Sequence, residues 1–203
     1  MIKKLTYIEL EYSDKDLDYI DYLVNELESK SKEIVKFFEV DNVNTKIKLY
    51  SKLEDFRNEY KNMFKREPKE WVCGFAFDNK VLTLSLDELR KTYNHENNTK
   101  EDLLKLILHE FTHSVHYKRM DGTPVLWFTE GLATYLSNQY PNTNKIEVSL
   151  EEIVNGTCSY TNYRVLVKYI IENYDKDYIN KLIDNREFLL EETEKIYKEA
   201  LSK

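Results

Sequence analysis

The sequence is poor in the residues that interrupt regular structure, with four Gly and three Pro in 203 positions. Both residues punctuate turns and loops, so their scarcity predicts regular elements joined by few long loops. Cysteine is scarcer still: only Cys73 and Cys158 occur, and neither belongs to a CxxC pair. That argues against a disulfide framework and fits reduced thiols in a soluble cytoplasmic protein. No apolar run approaches the roughly 18 residues of a membrane span. The opening MIKKLTYIELEY has two lysines but then places Glu9 and Glu11 where a secretory signal needs an apolar stretch. Positive charge is also short. Lys and Arg number 30 against 37 Asp and Glu, a formal net charge of −7, with no basic stripe. Nonspecific binding to nucleic acid or to an anionic membrane is therefore disfavoured.

What is present is the composition of a packed globular chain: 41% hydrophobic and 13% aromatic, with sixteen Tyr. The length suits one sizeable core, or two lobes, and not several independent domains. Residues 5–12 alternate as a first strand, followed by an N-cap at Ser13 or Asp14. Residues 16–38 keep a helical repeat through Leu17, Ile20, Leu23, Val24, Leu27, Ile34, Val35 and Phe38. Residues 46–50 alternate as a strand, and 52–66 read as a helix ended by Glu67 and Pro68. Two β-prone runs, 71–77 and 80–86, flank Asp78 and Asn79, a two-residue hairpin turn. Beyond residue 120 the pattern is helical, at 126–139, 163–174, 177–184 and 187–201. The expected architecture is α+β, with an N-terminal mixed-sheet lobe over 1–120 and a helical C-terminal lobe over 121–203. The shift at Asp121 to Pro124 marks the boundary.

The chemistry concentrates in HEFTH, His109 to His113. Leu103, Leu104, Ile107, Leu108, Phe111 and Val115 form one apolar face around it, so the motif sits on a buried helix, N-capped by Asn98 or Thr99. Residues four apart project from one side of a helix, so both imidazoles can reach one metal ion while Glu110 is turned aside. A hydrogen-bonded pair of core histidines is the plainer alternative. Catalytic zinc usually takes three protein ligands, and Glu130 in LWFTEGLATYL is the third candidate; Gly131 and Ala133 would let its helix approach the motif helix. Read plainly, Glu130 is a carboxylate near a helix start, favoured by the dipole. With a metal in place, Glu110 is the general base. His116, one turn beyond His113, could lie near the metal but reads rather as a partly exposed surface residue, and His95 as an exposed loop residue.

HEFTH followed by WFTEGLATYL resembles the gluzincin metallopeptidases, in particular small peptidase-MA-like domains whose second motif is W-F-x-E-G-x-A-x-Y. The resemblance covers residues 45–200 and implies a zincin-like fold, one Zn2+ per chain on His109, His113 and Glu130, and Glu110 as catalytic base. It implies a peptide or protein substrate, paired with a strand before the motif helix; residues 80–86 (KVLTLSL) are the expected edge. It also implies a tyrosine that stabilises the oxyanion, Tyr160 in SYTNY or, failing that, Tyr163. The chain departs from the family in two ways. Only 16 residues separate His113 from Glu130, and the G-x-M-E-N signature for a free amino terminus is absent, which puts aminopeptidase action in doubt. Thr134 is a candidate for a supporting hydrogen bond to the site. Two other readings stand beside a peptidase: a zinc-binding regulatory or interaction module with little turnover, and a helical interaction protein without metal.

Overall fold

The computed structural model describes residues 1–120 and 122–202. It is a mixed α+β protein that divides into two compact units, Met1–Ser114 and Val115–Lys203. Asp121, where the boundary was expected to begin, lies outside the described residues.

The first unit is built on a five-stranded mixed sheet. Its strands are β1 (Ile2–Lys4), β2 (Ile8–Glu11), β3 (Thr45–Tyr50), β4 (Gly74–Phe77) and β5 (Lys80–Leu84). Their spatial order is β1-β2-β3-β5-β4; β2, β3 and β5 run parallel, and β1 and β4 close the two edges antiparallel. The strand expected over 5–12 is β2; β1, which precedes that range, forms a hairpin with it, the chain turning at Leu5, whose N–H donates to Ile8 O at 2.8 Å. The helix α1 (Leu17–Phe38) leads from β2 to β3, and α2 (Leu53–Phe64) and the short α3 (Leu86–Leu89) follow β3 and β5. Ser13 caps a 3-10 turn before α1 through a reciprocal pair with Asp16. Lys65, in the left-handed region at φ 56°, ends α2 two residues before the expected Glu67.

Residues 80–86 do not form the sheet edge. β5 pairs with β3 on one side and β4 on the other, and Val81, Leu82, Thr83 and Leu84 are all buried. A run apolar at nearly every position marks a strand covered on both faces, and Ser85 then starts α3 where the strand was expected to continue. The edge beside β5 belongs to β4. Leu84 N donates to Cys73 O at 3.1 Å and Gly74 pairs with Thr83. In an antiparallel ladder the bonding direction alternates, so Cys73, Phe75 and Phe77 turn their peptide groups toward β5 while Gly74 and Ala76 turn theirs outward.

Side chains alternate in the same way. Phe75 and Phe77 meet α2: Phe75 touches Phe56, Tyr60 and Phe64, and Phe77 touches Phe64. Gly74 lies on the opposite face, against α4 (Lys100–His116). The second unit is helical: α5 (Leu126–Leu136), α6 (Leu150–Asn155), α7 (Tyr160–Asn173), α8 (Lys176–Asp184) and α9 (Arg186–Leu201). The sequence reading omitted α6, although S-x-x-E at Ser149 to Glu152 forms a capping box and Gly156 supplies the left-handed C-cap. No helix among the described residues is long and apolar enough to cross a membrane.

Candidate metal centre

The motif helix α4 begins at a reciprocal cap. Thr99 N and Oγ1 donate to Asp102 Oδ2 at 2.8 and 2.7 Å, and Asp102 N donates back to Thr99 Oγ1 at 3.3 Å. Every member of the expected apolar face, Leu103, Leu104, Ile107, Leu108, Phe111 and Val115, is at most 5% exposed. Hydroxyls hold the second half of the helix. Thr112 Oγ1 donates to Leu108 O at 2.8 Å, and Ser114 Oγ, which donates to Phe111 O, is 3.1 Å from Thr45 Oγ1 at the start of β3.

On this anchored helix His109, Glu110 and His113 are 6%, 9% and 5% exposed. The two Nε2 atoms are 3.1 Å apart and the rings are nearly perpendicular, at 82°. Ligand atoms about 2.0–2.1 Å from a tetrahedral zinc ion are about 3.3 Å from one another, so the spacing of the two nitrogens matches one edge of such a site. Among the described residues, His109, His113 and Glu130 are the group that could hold a metal ion, with ligand atoms all within 4.8 Å of one another. Two imidazoles and a carboxylate are a donor set that catalytic zinc accepts, with a fourth position left open. By donor chemistry the group could hold a metal ion.

Glu110 meets a neighbour the sequence reading missed. A Cβ at Gly74 would lie 3.3 Å from Glu110 Cγ and 3.3 Å from Leu106 Cδ1. A side chain there would crowd the carboxylate, so glycine on β4 leaves Glu110 its position. One of only four glycines, inside a β-prone run, was the available signal.

In the second unit, α5 carries Glu130 half-buried, and its charge is felt by Tyr163 on α7. Burial first, then the neighbouring Cys158, Tyr160 and Glu130, raise the pKa of the Tyr163 phenol. Gly131 makes a close contact within the helical unit. A Cβ there would stand 2.6 Å from Val167 Cγ2 and 2.7 Å from Tyr163 O, so the small residue admits α7. Tyr160 opens α7, half-buried, with its ring stacked on Tyr163 at 5.8 Å; Tyr163 itself is fully buried. Thr134 is buried, and its hydroxyl has no hydrogen-bond partner among the described residues, so the expected support from it is not found.

His116 is 1% exposed, not at the surface. It sits edge-on to Phe128 and beside a small cavity lined by Met120, Thr129 and Leu182, because the last turn of α4 is covered by the helical unit it belongs to. His95 is half-buried, with Nδ1 3.1 Å from Asn98 Nδ2, rather than exposed. Cys73 and Cys158 are both free. No protein-family model matches the chain, and no curated protein sequence matches it.

Proposed function

We propose that this chain is a zinc-dependent metallopeptidase of the gluzincin type, cytoplasmic, acting on a peptide or protein substrate. His109, His113 and Glu130 would hold one zinc ion and Glu110 would act as general base. The observation that carries the reading is the coincidence of HEFTH with a third ligand: two buried imidazoles one helical turn apart and a carboxylate, with ligand atoms within 4.8 Å.

Zinc bound by this set supplies Lewis acidity, which acidifies water and polarises a carbonyl oxygen. Glu110 accepts the proton of the attacking water at its carboxylate and returns it to the departing amine nitrogen. Its burial on α4 strengthens that exchange, since little bulk water competes for the carboxylate. Tyr160 donates its hydroxyl to the carbonyl oxygen as charge develops there. It is preferred to Tyr163, whose fully buried ring leaves no approach for a substrate. The strand that receives an extended substrate is β4, since β5 is paired on both sides. Gly74 and Ala76 offer the outward peptide groups, and Gly74 sits against Glu110, so pairing there carries a substrate carbonyl toward the base.

The test is elemental analysis of the purified chain together with cleavage of a peptide pool. One zinc per chain and measurable cleavage are expected. Glu110→Gln should keep the zinc and lose roughly 10²- to 10⁴-fold in rate, because an amide cannot take the proton. Full activity in that variant removes Glu110 from the mechanism. Zinc retained by the unsubstituted chain without cleavage identifies a binding module instead.

A further inference from the structure

We propose that the aromatic face of β4 is a specificity surface that selects substrates with a bulky apolar side chain in an extended segment; this rests on the peptidase reading above. The ridge begins in the core and runs outward. Phe56 touches Phe75 at 5.5 Å, Phe75 touches Phe64 at 5.4 Å, and Phe64 meets Phe77 edge to face at 5.3 Å. Exposure rises along it, from none at Phe56 through 7% at Phe75 to 43% at Phe77. The ridge therefore ends as open aromatic surface on the strand that has a free edge.

Strand geometry decides what covers it. A peptide hydrogen-bonded to Gly74 and Ala76 becomes the sheet's next strand, and its side chains alternate between the two faces. The residues opposite Gly74 and Ala76 share their face, the side on which Gly74 meets Glu110 and Leu106. The residues opposite Phe75 and Phe77 lie on the other face, beside the ridge. Cross-strand aromatic and aliphatic pairs are favourable there, whereas a polar residue would cover the Phe77 ring and lose water for no return. The base and the ridge thus contact alternating residues of one peptide. An apolar preference should appear at a position one or three residues from the one facing Glu110, and not at the position facing it.

The probe is a pool of short random-sequence peptides, offered to the full-length zinc-loaded chain for cleavage and, separately, to zinc-loaded Glu110→Gln for capture, with mass-spectrometric sequencing of both. Phe, Leu, Ile, Met and Tyr should be enriched at one fixed offset in the captured peptides and at a fixed distance from the cleaved bond. Phe77→Ser should reduce that enrichment about tenfold, and Phe77→Leu should preserve it. Phe77 is partly exposed, so neither variant removes a fully buried contact. Cleavage without such enrichment, or enrichment unchanged in Phe77→Ser, overturns this proposal and leaves the peptidase reading standing. Zinc at one per chain with no cleavage overturns the peptidase reading; capture that still depends on Phe77 would then keep the surface as a peptide-binding one. Failure to capture any peptide overturns the surface itself. A concentration-dependent dimer that Phe77→Ser abolishes assigns the edge to a second copy of the chain and overturns the proposal as well.

Discussion

Two glycines carry opposite demands. At Gly131 an added methyl would stand 2.6 Å from a Val167 methyl and 2.7 Å from the Tyr163 carbonyl oxygen. The carbonyl belongs to helical backbone and cannot yield, so Gly131→Ala should lower stability by about 1–3 kcal/mol, read as a fall in Tm. At Gly74 the neighbours are side-chain atoms, Glu110 Cγ and Leu106 Cδ1, each at 3.3 Å, which need give by only a few tenths of an ångström. Gly74→Ala should leave Tm nearly unchanged while kcat falls at least severalfold, because the displaced atom is in the proposed general base and a small misplacement is costly in rate. Tyrosine needs the same separation. Tyr160→Phe should cost 10²- to 10³-fold in kcat with Tm unmoved, the loss typical of one oxyanion donor. Tyr163→Phe should leave kcat within a few-fold, and the reverse ranking would transfer the role to Tyr163.

Among the elements, α4 depends on its first turn. Thr99 and Asp102 satisfy the free N–H groups there, and Thr99→Ala should cost about 1 kcal/mol in denaturant unfolding. Burial raises the proton affinity of the Asp102 carboxyl, but the two hydrogen bonds from Thr99 outweigh it and the pKa is lowered overall. A carboxyl with a depressed folded pKa stabilises fully above its unfolded value of about 3.9 and loses that contribution as pH falls through the folded value. The stability difference between the native chain and Asp102→Asn should therefore be constant near neutrality and shrink as pH falls below about 4. A constant difference down to strongly acid pH would show that the charge takes no part in the cap.

For the whole molecule, the metal is the variable to control. A ligand that binds only the folded state stabilises it by RT ln(1 + [L]/Kd), about 2.7 kcal/mol at a hundredfold excess over Kd. Zinc should raise the Tm of the metal-free chain. His113→Ala and Glu130→Ala should each abolish or sharply reduce the rise, whereas Glu110→Gln should keep it. A rise that persists when Glu130 is removed, with one zinc still bound, would remove the third ligand and leave the gluzincin assignment without support. A chelator should abolish cleavage, and added zinc should restore it.

Periodicity alone determined the long elements. The repeat of apolar residues placed α1, α2, α4 and α9 to within a few residues, and the mixed α+β class followed from strands alternating with helices before residue 120. HEFTH was legible because a helix converts spacing directly into direction: residues four apart must face the same way, whatever surrounds them. Direction along a helix does not extend to neighbours in space. Whether KVLTL is an edge depends on which strands flank it, and that order is set by crossovers between segments far apart in sequence. The partner of Gly131, the burial of His116 and the contact of Gly74 with Glu110 were illegible for the same reason. Each depends on two elements meeting, and a residue's type records its own preference but not what is brought against it.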